Sequence, residues 1–398
     1  MRIAQIAPLT ESVPPKLYGG SERVVSWLTD ELVTLGHEVV LFASGDSQTS
    51  ARLEPCWPKS LRLDGSVRDA NALHMTMLER VRRRAQDFDI LHFHLDYYPF
   101  SLFARQPTPF VTTLHGRLDL PEHRTLFETF PSLPVVSISD AQREPIPRAG
   151  WVRTIHHGLP ERLLKPASVA PRYLAFLGRI SPEKGIDSAI RIAKRAGVPL
   201  KIAAKIDAVD RDYFESEIRD LLSPPEIKHI GEIGDCEKSS FLSGAIALLV
   251  PIAWPEPFGL VFIEAMACGT PVIAFNRGAA SEIIEDGLTG FIVDNEEEAL
   301  LALRRLPALC RGAIRRRFEE RFTARRMAHD YVAAYRSLMR GAAARPADAE
   351  QAELANGWVA DMPRRPTQVG MECQKRRQAS FKATTRGHWM SAASRSRS

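Results

Sequence analysis

No apolar run in this sequence is long enough to cross a bilayer. Stretches such as Ala245 to Val250 fall far short of the ~20 residues that a spanning helix needs. Cysteine is sparse, and the five residues at 56, 236, 268, 310 and 373 are spaced neither as a disulfide framework nor as a zinc site. The start, Met1-Arg2-Ile3-Ala4-Gln5-Ile6, enters a strand pattern without a charged-then-apolar leader. Together these absences predict a reducing, cytoplasmic location. A basic face is lacking too. Residues 341–398 carry ten Lys/Arg against five Asp/Glu, which accounts for the whole net charge of +5, while residues 1–340 hold 43 of each sign. That balance argues against a nucleic-acid partner for the body of the chain. The dinucleotide fingerprint G-x-G-x-x-G is also missing from the first strand–turn–helix, which carries Gly19-Gly20-Ser21 instead.

The chain does have the length for two domains, with 398 residues of which 44% are hydrophobic and 25% charged. A strand–helix alternation runs through it twice. The first round predicts a strand over 2–7, a helix from Glu22 to Leu35 capped by Ser21, and strands over 39–43, 90–93, 110–114 and 135–138. At 155–171 the composition shifts to His156-His157-Gly158-Leu159-Pro160, Pro166 and Pro171, which marks a linker. The second round predicts strands near 173–177, 200–204, 227–230, 245–250, 272–274 and 290–293. Helices are expected at 186–196, 210–222, 238–243 and 260–267. The expected class is α/β, with two Rossmann-like domains of parallel sheet over residues 1–160 and 161–322. An amphipathic helix follows at 323–340, with Met327, Tyr331, Val332, Tyr335 and Leu338 on one stripe. Residues 341–398 read as a disordered basic tail. The run Arg80-Val81-Arg82-Arg83-Arg84 reads as an exposed helix face, with weak peripheral contact to anionic lipid as the alternative.

The most informative stretch is Pro255-Glu256-Pro257-Phe258-Gly259-Leu260-Val261-Phe262-Ile263-Glu264. Two prolines bias Trp254 and Glu256 to extended backbone, and Gly259 permits a left-handed turn. Leu260 to Ala267 then reads as a short buried helix that Gly269 terminates. One carboxylate precedes the helix start and the other lies within it, with free N–H groups between. A helix N-terminus attracts phosphate, and carboxylates accept from sugar or ribose hydroxyls. A nucleotide-sugar has that polarity along its length; a buried helix with two incidental acids is the plainer reading. Arg179 and Lys184 flank a turn at another strand end, where they suit either phosphate or a salt-bridged surface turn. Gly19 and Gly20 precede a helix, where they permit a tight turn or close approach to phosphate. His115 follows a strand directly and faces the crevice or satisfies a strand-end backbone group. His92, His94 and Asp96 lack the further ligand spacing that a metal site would show.

In order and spacing, several pieces resemble the retaining family 4 glycosyltransferases, enzymes of the GT-B fold. They are Gly19-Gly20-Ser21-Glu22-Arg23, Thr113-Leu114-His115-Gly116, Gly178-Arg179 with Glu183-Lys184-Gly185, and Glu256 through Glu264. Ala267-Cys268-Gly269-Thr270-Pro271 and Glu282 through Phe291 match as well. The resemblance covers residues 1 to about 340. It implies two Rossmann-like domains facing across a cleft, and metal-independent transfer of a hexose from a nucleotide-diphosphate sugar to a hydroxyl acceptor, with retention. Carried over, Arg179 and Lys184 hold the diphosphate. Glu256 takes donor-sugar hydroxyls with the amides of Phe258, Gly259, Leu260 and Val261, and Glu264 takes the ribose. Gly19 and Gly20 close the first loop over the donor, and His115 sits beside the transferred sugar. His157 stands where many relatives carry asparagine. The alternatives are a nucleotide-sugar epimerase on the same fold and a non-catalytic nucleotide-sugar-binding protein. The resemblance requires no cofactor.

Overall fold

Short segments apolar on both faces form strands buried from both sides, as parallel sheets require. The computed structural model, which describes residues 1–16 and 19–343, arranges them in two sheets. The first contains β1 (Arg2–Ile6), β2 (Glu38–Ser44), β3 (Arg52–Trp57), β4 (Ile90–Phe93), β5 (Phe110–Thr113), β6 (Val135–Ser137) and β7 (Trp151–Thr154). Its order is β3-β2-β1-β4-β5-β6-β7, every pair parallel. The second contains β8 (Tyr173–Arg179), β9 (Leu200–Lys205), β10 (Ile227–Gly231), β11 (Ala245–Val250), β12 (Val272–Phe275) and β13 (Gly290–Val293). Its order is β10-β9-β8-β11-β12-β13, again parallel.

Each order reverses once. The chain leaves β1 toward one edge and returns to β1's other side with β4; β8 and β11 repeat the pattern. Loops leaving such a pair of strands part to opposite sides and open a crevice at their carboxyl ends. The loops after β1, β4, β8 and β11 therefore occupy the two positions where ligands enter folds of this kind.

Helices fill the crossovers. In the first half these are α1 (Gly20–Thr34), α2 (Ala70–Arg83), α3 (Phe100–Phe103) and α4 (Pro121–Thr129). In the second they are α5 (Ile186–Ala196), α6 (Arg211–Tyr213), α7 (Asp235–Ser243), α8 (Leu260–Ala267), α9 (Ala280–Ile283), α10 (Glu296–Arg305) and α11 (Arg311–Arg321). The final helix, α12 (Ala324–Ala343), packs on α1 and buries Tyr331 and Tyr335 beneath the first sheet. The chain passes between the halves at two adjacent places. Leu159 N–H donates to Phe322 O at 2.9 Å and Ala324 N–H to Leu159 O at 2.7 Å. Gly158 makes room for this, since a β-carbon there would meet Thr323 O at 2.2 Å.

Several local expectations are corrected. Ser21 lies inside α1 rather than capping it; the cap position is Gly19, which has no side chain to offer. The helix expected over 210–222 is broken into a 3-10 turn, the single turn α6, a π turn and a second 3-10 turn. Strands β3 and β7 are absent from the sequence pattern, because as edge strands they are only half-buried and lack an apolar run. Arg82 and Arg83, near the end of α2, both bond Glu79, and Arg84 bonds Glu54, so this basic run is largely internally paired. No helix among the described residues is long and apolar enough to cross a membrane. Tyr18 of the first loop and residues 344–398 of the expected tail lie outside the described residues.

Candidate active site

The loop between β11 and α8 is extended through Glu256, and α8 begins where its apolar run does. Gly259 takes φ 82°, a left-handed conformation that costs glycine little. No side chain caps this end. The first N–H groups of a helix have no intrahelical partner, so Leu260 and Val261 offer open donors together with the positive end of the dipole. At the other end Gly269, at φ 67°, stops the helix. Gly20 begins α1 in the opposite half and lies against this helix start: a β-carbon on it would come 3.7 Å from Leu260 Cδ1. Gly20 there has ordinary contact distance, whereas Gly19 is tight, with Pro15 Cβ 2.9 Å from where its own β-carbon would stand.

Glu256 is fixed from three directions. Lys184 Nζ lies 2.6 Å from its Oε2, and Trp254 Nε1–H donates to the same oxygen at 3.1 Å. Its backbone oxygen accepts from Ala279 N–H at 2.9 Å. Gly278, which no sequence motif singles out, takes φ 57°; a β-carbon there would stand 2.4 Å from Glu256 N and 2.3 Å from its O. Gly278→Ala is therefore expected to displace the Glu256 loop, cost about 1–3 kcal/mol of stability and depress activity further. Thermal unfolding beside turnover checks this; a variant with wild-type values on both would refute the packing argument.

Arg179 and Lys184 leave the same strand end but point to different partners. Arg179 pairs with Glu183 across the turn, with Asp210 at 3.3 Å and with Asp207 at 3.6 Å. In this state the salt-bridged turn describes Arg179, while Lys184 reaches Glu256. Gly185 permits the turn: its φ is 68°, and a β-carbon would meet Pro251 O at 2.0 Å.

Glu264 is 2% exposed, yet it is held ionised. Burial would raise its pKa, but Lys238 and Arg23 more than offset burial and hold it below the usual carboxylate range. Lys238 Nζ and Arg23 Nη1 meet its Oε1 at 2.7 and 2.8 Å. Arg23 comes from α1 in the opposite half, stacks 4.8 Å over Trp27 and also pairs with Asp235 at 2.5 Å. The motif that contains Arg23 assigns it no role, and no motif contains Lys238. Its place three residues after Asp235 on a helix was the only available signal.

In the first half, His115 follows β5 and His94 follows β4; His94 Nδ1 lies 2.9 Å from His115 Nε2. Burial pushes the His115 pKa down to about 4, so the ring is neutral near pH 7. His157 stacks on His115 at 5.3 Å and meets Phe258 edge-on at 4.9 Å. That contact chain links His115 to the loop that carries Glu256, and the sequence assigned His157 no part in it. Glu282 of α9 accepts from the N–H groups of Asp140 and Ala141 at 2.9 and 2.7 Å, tying the halves together once more. His92, by contrast, is committed to the interior, with ring nitrogens 2.6 Å from Tyr335 Oη and 2.7 Å from Thr113 Oγ1. A gap lined by Arg117, Asp119, Gln142, Glu256 and Gly278 runs between the halves.

Two Rossmann-like sheets with crevice residues facing each other across such a gap define a GT-B architecture. The pattern of the family Glycosyltransferase Family 4 matches residues 18–159, and that of Glycosyl transferases group 1 matches residues 165–321. The chain belongs to these glycosyltransferases. Phosphatidyl-myo-inositol mannosyltransferase of Mycolicibacterium smegmatis is 26% identical over 85% of this chain and 93% of its own. AviGT4, a glycosyltransferase involved in avilamycin A biosynthesis, superposes with a TM-score of 0.63 at 26% identity, over 85% of this chain and 98% of its own. Sucrose-phosphate synthase from Thermosynechococcus elongatus shares the fold with a TM-score of 0.70 at 19% identity, over 85% of this chain and 99% of its own.

Proposed function

We propose that this glycosyltransferase moves a hexose from a nucleotide-diphosphate sugar to a hydroxyl acceptor with retention at the anomeric carbon and without a metal ion. The observation that carries the reading is the α8 start: open N–H donors lie between the loop carboxylate Glu256 and the buried, ionised carboxylate Glu264. Both cations on Glu264 meet Oε1, which leaves Oε2 to accept from ribose hydroxyls. Lys184 stands beside Glu256, where diphosphate and sugar would join. Arg179 reaches the diphosphate by exchanging its carboxylate partners for phosphate. Gly19 and Gly20 let the first loop approach the bound donor closely, and His115 adjoins the transferred sugar. A hexosyl donor fits the mannosyltransferase among the relatives.

In the transfer, the bond between the anomeric carbon and the diphosphate oxygen breaks, and the acceptor oxygen bonds to that carbon from the same face. The acceptor's proton passes to the leaving diphosphate. Lys184, Arg179 and the amides of Leu260 and Val261 stabilise the charge developing there, a contribution often worth several kcal/mol. Because these groups supply the positive charge, the rate should survive a chelator.

The test is a panel of uridine, guanosine and adenosine diphosphates in thermal unfolding of the full chain. One member should raise the melting point by mass action. The matching nucleotide-sugar should then be hydrolysed slowly without acceptor, at equal rates with EDTA or magnesium, releasing sugar of the donor's own anomeric configuration. A flat panel, or release of the opposite anomer, would refute the reading.

A further inference from the structure

Behind His115 lies a second layer of polar side chains. Gln5 on β1, His92 and His94 at the end of β4, Thr113 on β5, and Tyr331 and Tyr335 on α12 are all buried. Buried polar groups keep hydrogen-bond partners, and these form one continuous chain. His94 Nε2 lies 2.8 Å from Gln5 Oε1, and His94 Nδ1 lies 2.9 Å from His115 Nε2. Gln5 Nε2 lies 3.1 Å from Tyr335 Oη and 3.3 Å from His92 Nδ1. The Tyr335 hydroxyl is 2.6 Å from His92 Nδ1. His92 Nε2 is 2.7 Å from Thr113 Oγ1, which in turn is 2.9 Å from the Tyr331 hydroxyl.

Donor and acceptor roles propagate along this chain. A glutamine carbonyl oxygen only accepts, so His94 carries its proton on Nε2. Burial keeps His94 and His115 neutral. His94 Nδ1 is therefore bare and accepts, and His115 carries its proton on Nε2. The remaining atom, His115 Nδ1, is a bare lone pair, buried and without a partner among the described residues. Turning the Gln5 amide over would invert every role and bury an unpaired N–H at that same atom. Orphaned buried donors are rarer in proteins than under-satisfied acceptors. In this orientation the Tyr335 oxygen accepts from the Gln5 amide and its hydroxyl is left to donate to His92 Nδ1, 2.6 Å away.

We infer that Gln5 and His94 are positioning residues that lock His115 in its Nε2–H tautomer, so that Nδ1 serves solely as acceptor for one hydroxyl of the bound glycosyl donor. The inference rests on the proposed nucleotide-sugar reading, which it deepens. It makes that subsite selective for a sugar position able to donate, against a fluorinated or deoxygenated one.

Two-bond proton–nitrogen spectra of the full chain, with His115→Gln to assign the ring, read the tautomer without any substrate. His115 is expected as Nε2–H; an Nδ1–H or averaging ring overturns the lock whatever the enzyme transfers. Gln5→Leu should release the tautomer and lower kcat/KM for the nucleotide-sugar about tenfold. Binding of the bare nucleoside diphosphate should not change. One of the singly fluorinated donor analogues should lose about tenfold in kcat/KM on the wild type and far less on Gln5→Leu. An unchanged His115 tautomer in Gln5→Leu, or equal loss of nucleotide-sugar and nucleoside diphosphate binding, would reduce Gln5 to a structural role and overturn the inference. Failure of every nucleoside diphosphate to bind the wild type strikes the nucleotide-sugar reading instead, and the spectra still judge the lock.

Discussion

Lys184→Ala lowers nucleotide-sugar turnover about 10²–10³-fold, the usual effect of removing one preorganised donor from a developing anion. Lys184 is placed for this by the sharp turn at Gly185, which seats the loop against Pro251, and its Nζ lies 2.6 Å from Glu256 Oε2. The same ammonium rests 5.2 Å from the centre of the Trp254 ring, so it is held before any donor arrives. Losing it removes charge at the leaving group and also frees Glu256, and both changes act on kcat. Lys184→Met, which keeps most of the side-chain volume but also loses the ammonium on Glu256, should lose as much, so that the loss is assigned to the charge and not to a cavity. Steady-state release of nucleoside diphosphate measures both variants. Turnover within threefold of wild type would show that the leaving group is stabilised elsewhere.

Acid should unfold this protein earlier than its carboxylates alone would. Burial lowers the pKa values of His92, His94, His115 and His157. Between pH 6.5, where an unfolded histidine titrates, and pH 4, where His115 titrates in the fold, the unfolded chain binds a proton at this position that the folded chain refuses. Stability therefore rises with pH across that window and is lost as pH falls. His115 alone accounts for about 3 kcal/mol over it, on the order of 1.4 kcal/mol per pH unit. The other three act in the same direction. Glu264 adds a lower window: its depressed pKa contributes stability present above the unfolded value and lost as pH falls through the folded one. Denaturant melts at pH 7, 6 and 5 should show a steep decline that His115→Gln makes shallower. Equal stability at pH 7 and pH 5 would contradict the burial of neutral histidines.

The parts legible in the sequence are those governed by neighbours along the chain. The prolines around Glu256, Gly259 and Gly269 act on their own backbone, and α8 accordingly runs from Leu260 to Ala267 as read. The α/β alternation and most central strands follow from apolar segments that must be buried on both faces. The edge strands β3 and β7 carried no such signal, and the Ser21 cap failed because α1 starts from the glycine pair instead.

Sheet order decided the rest. Arg23 reaches Glu264 across 241 residues, and Tyr335 reaches Gln5 across 330; both contacts exist because the crevice ends of two sheets, and the returning α12, bring distant segments together. No local pattern assigns a proton to a histidine nitrogen, places Lys184 on Glu256 while Arg179 turns to Asp207 and Asp210, or requires that Gly278 lack a β-carbon. The sequence by itself determined which groups this glycosyltransferase can bring to its cleft. Only the tertiary structure decided which of them are paired, which are charged and which atom is left bare, because burial and long-range contact set those properties.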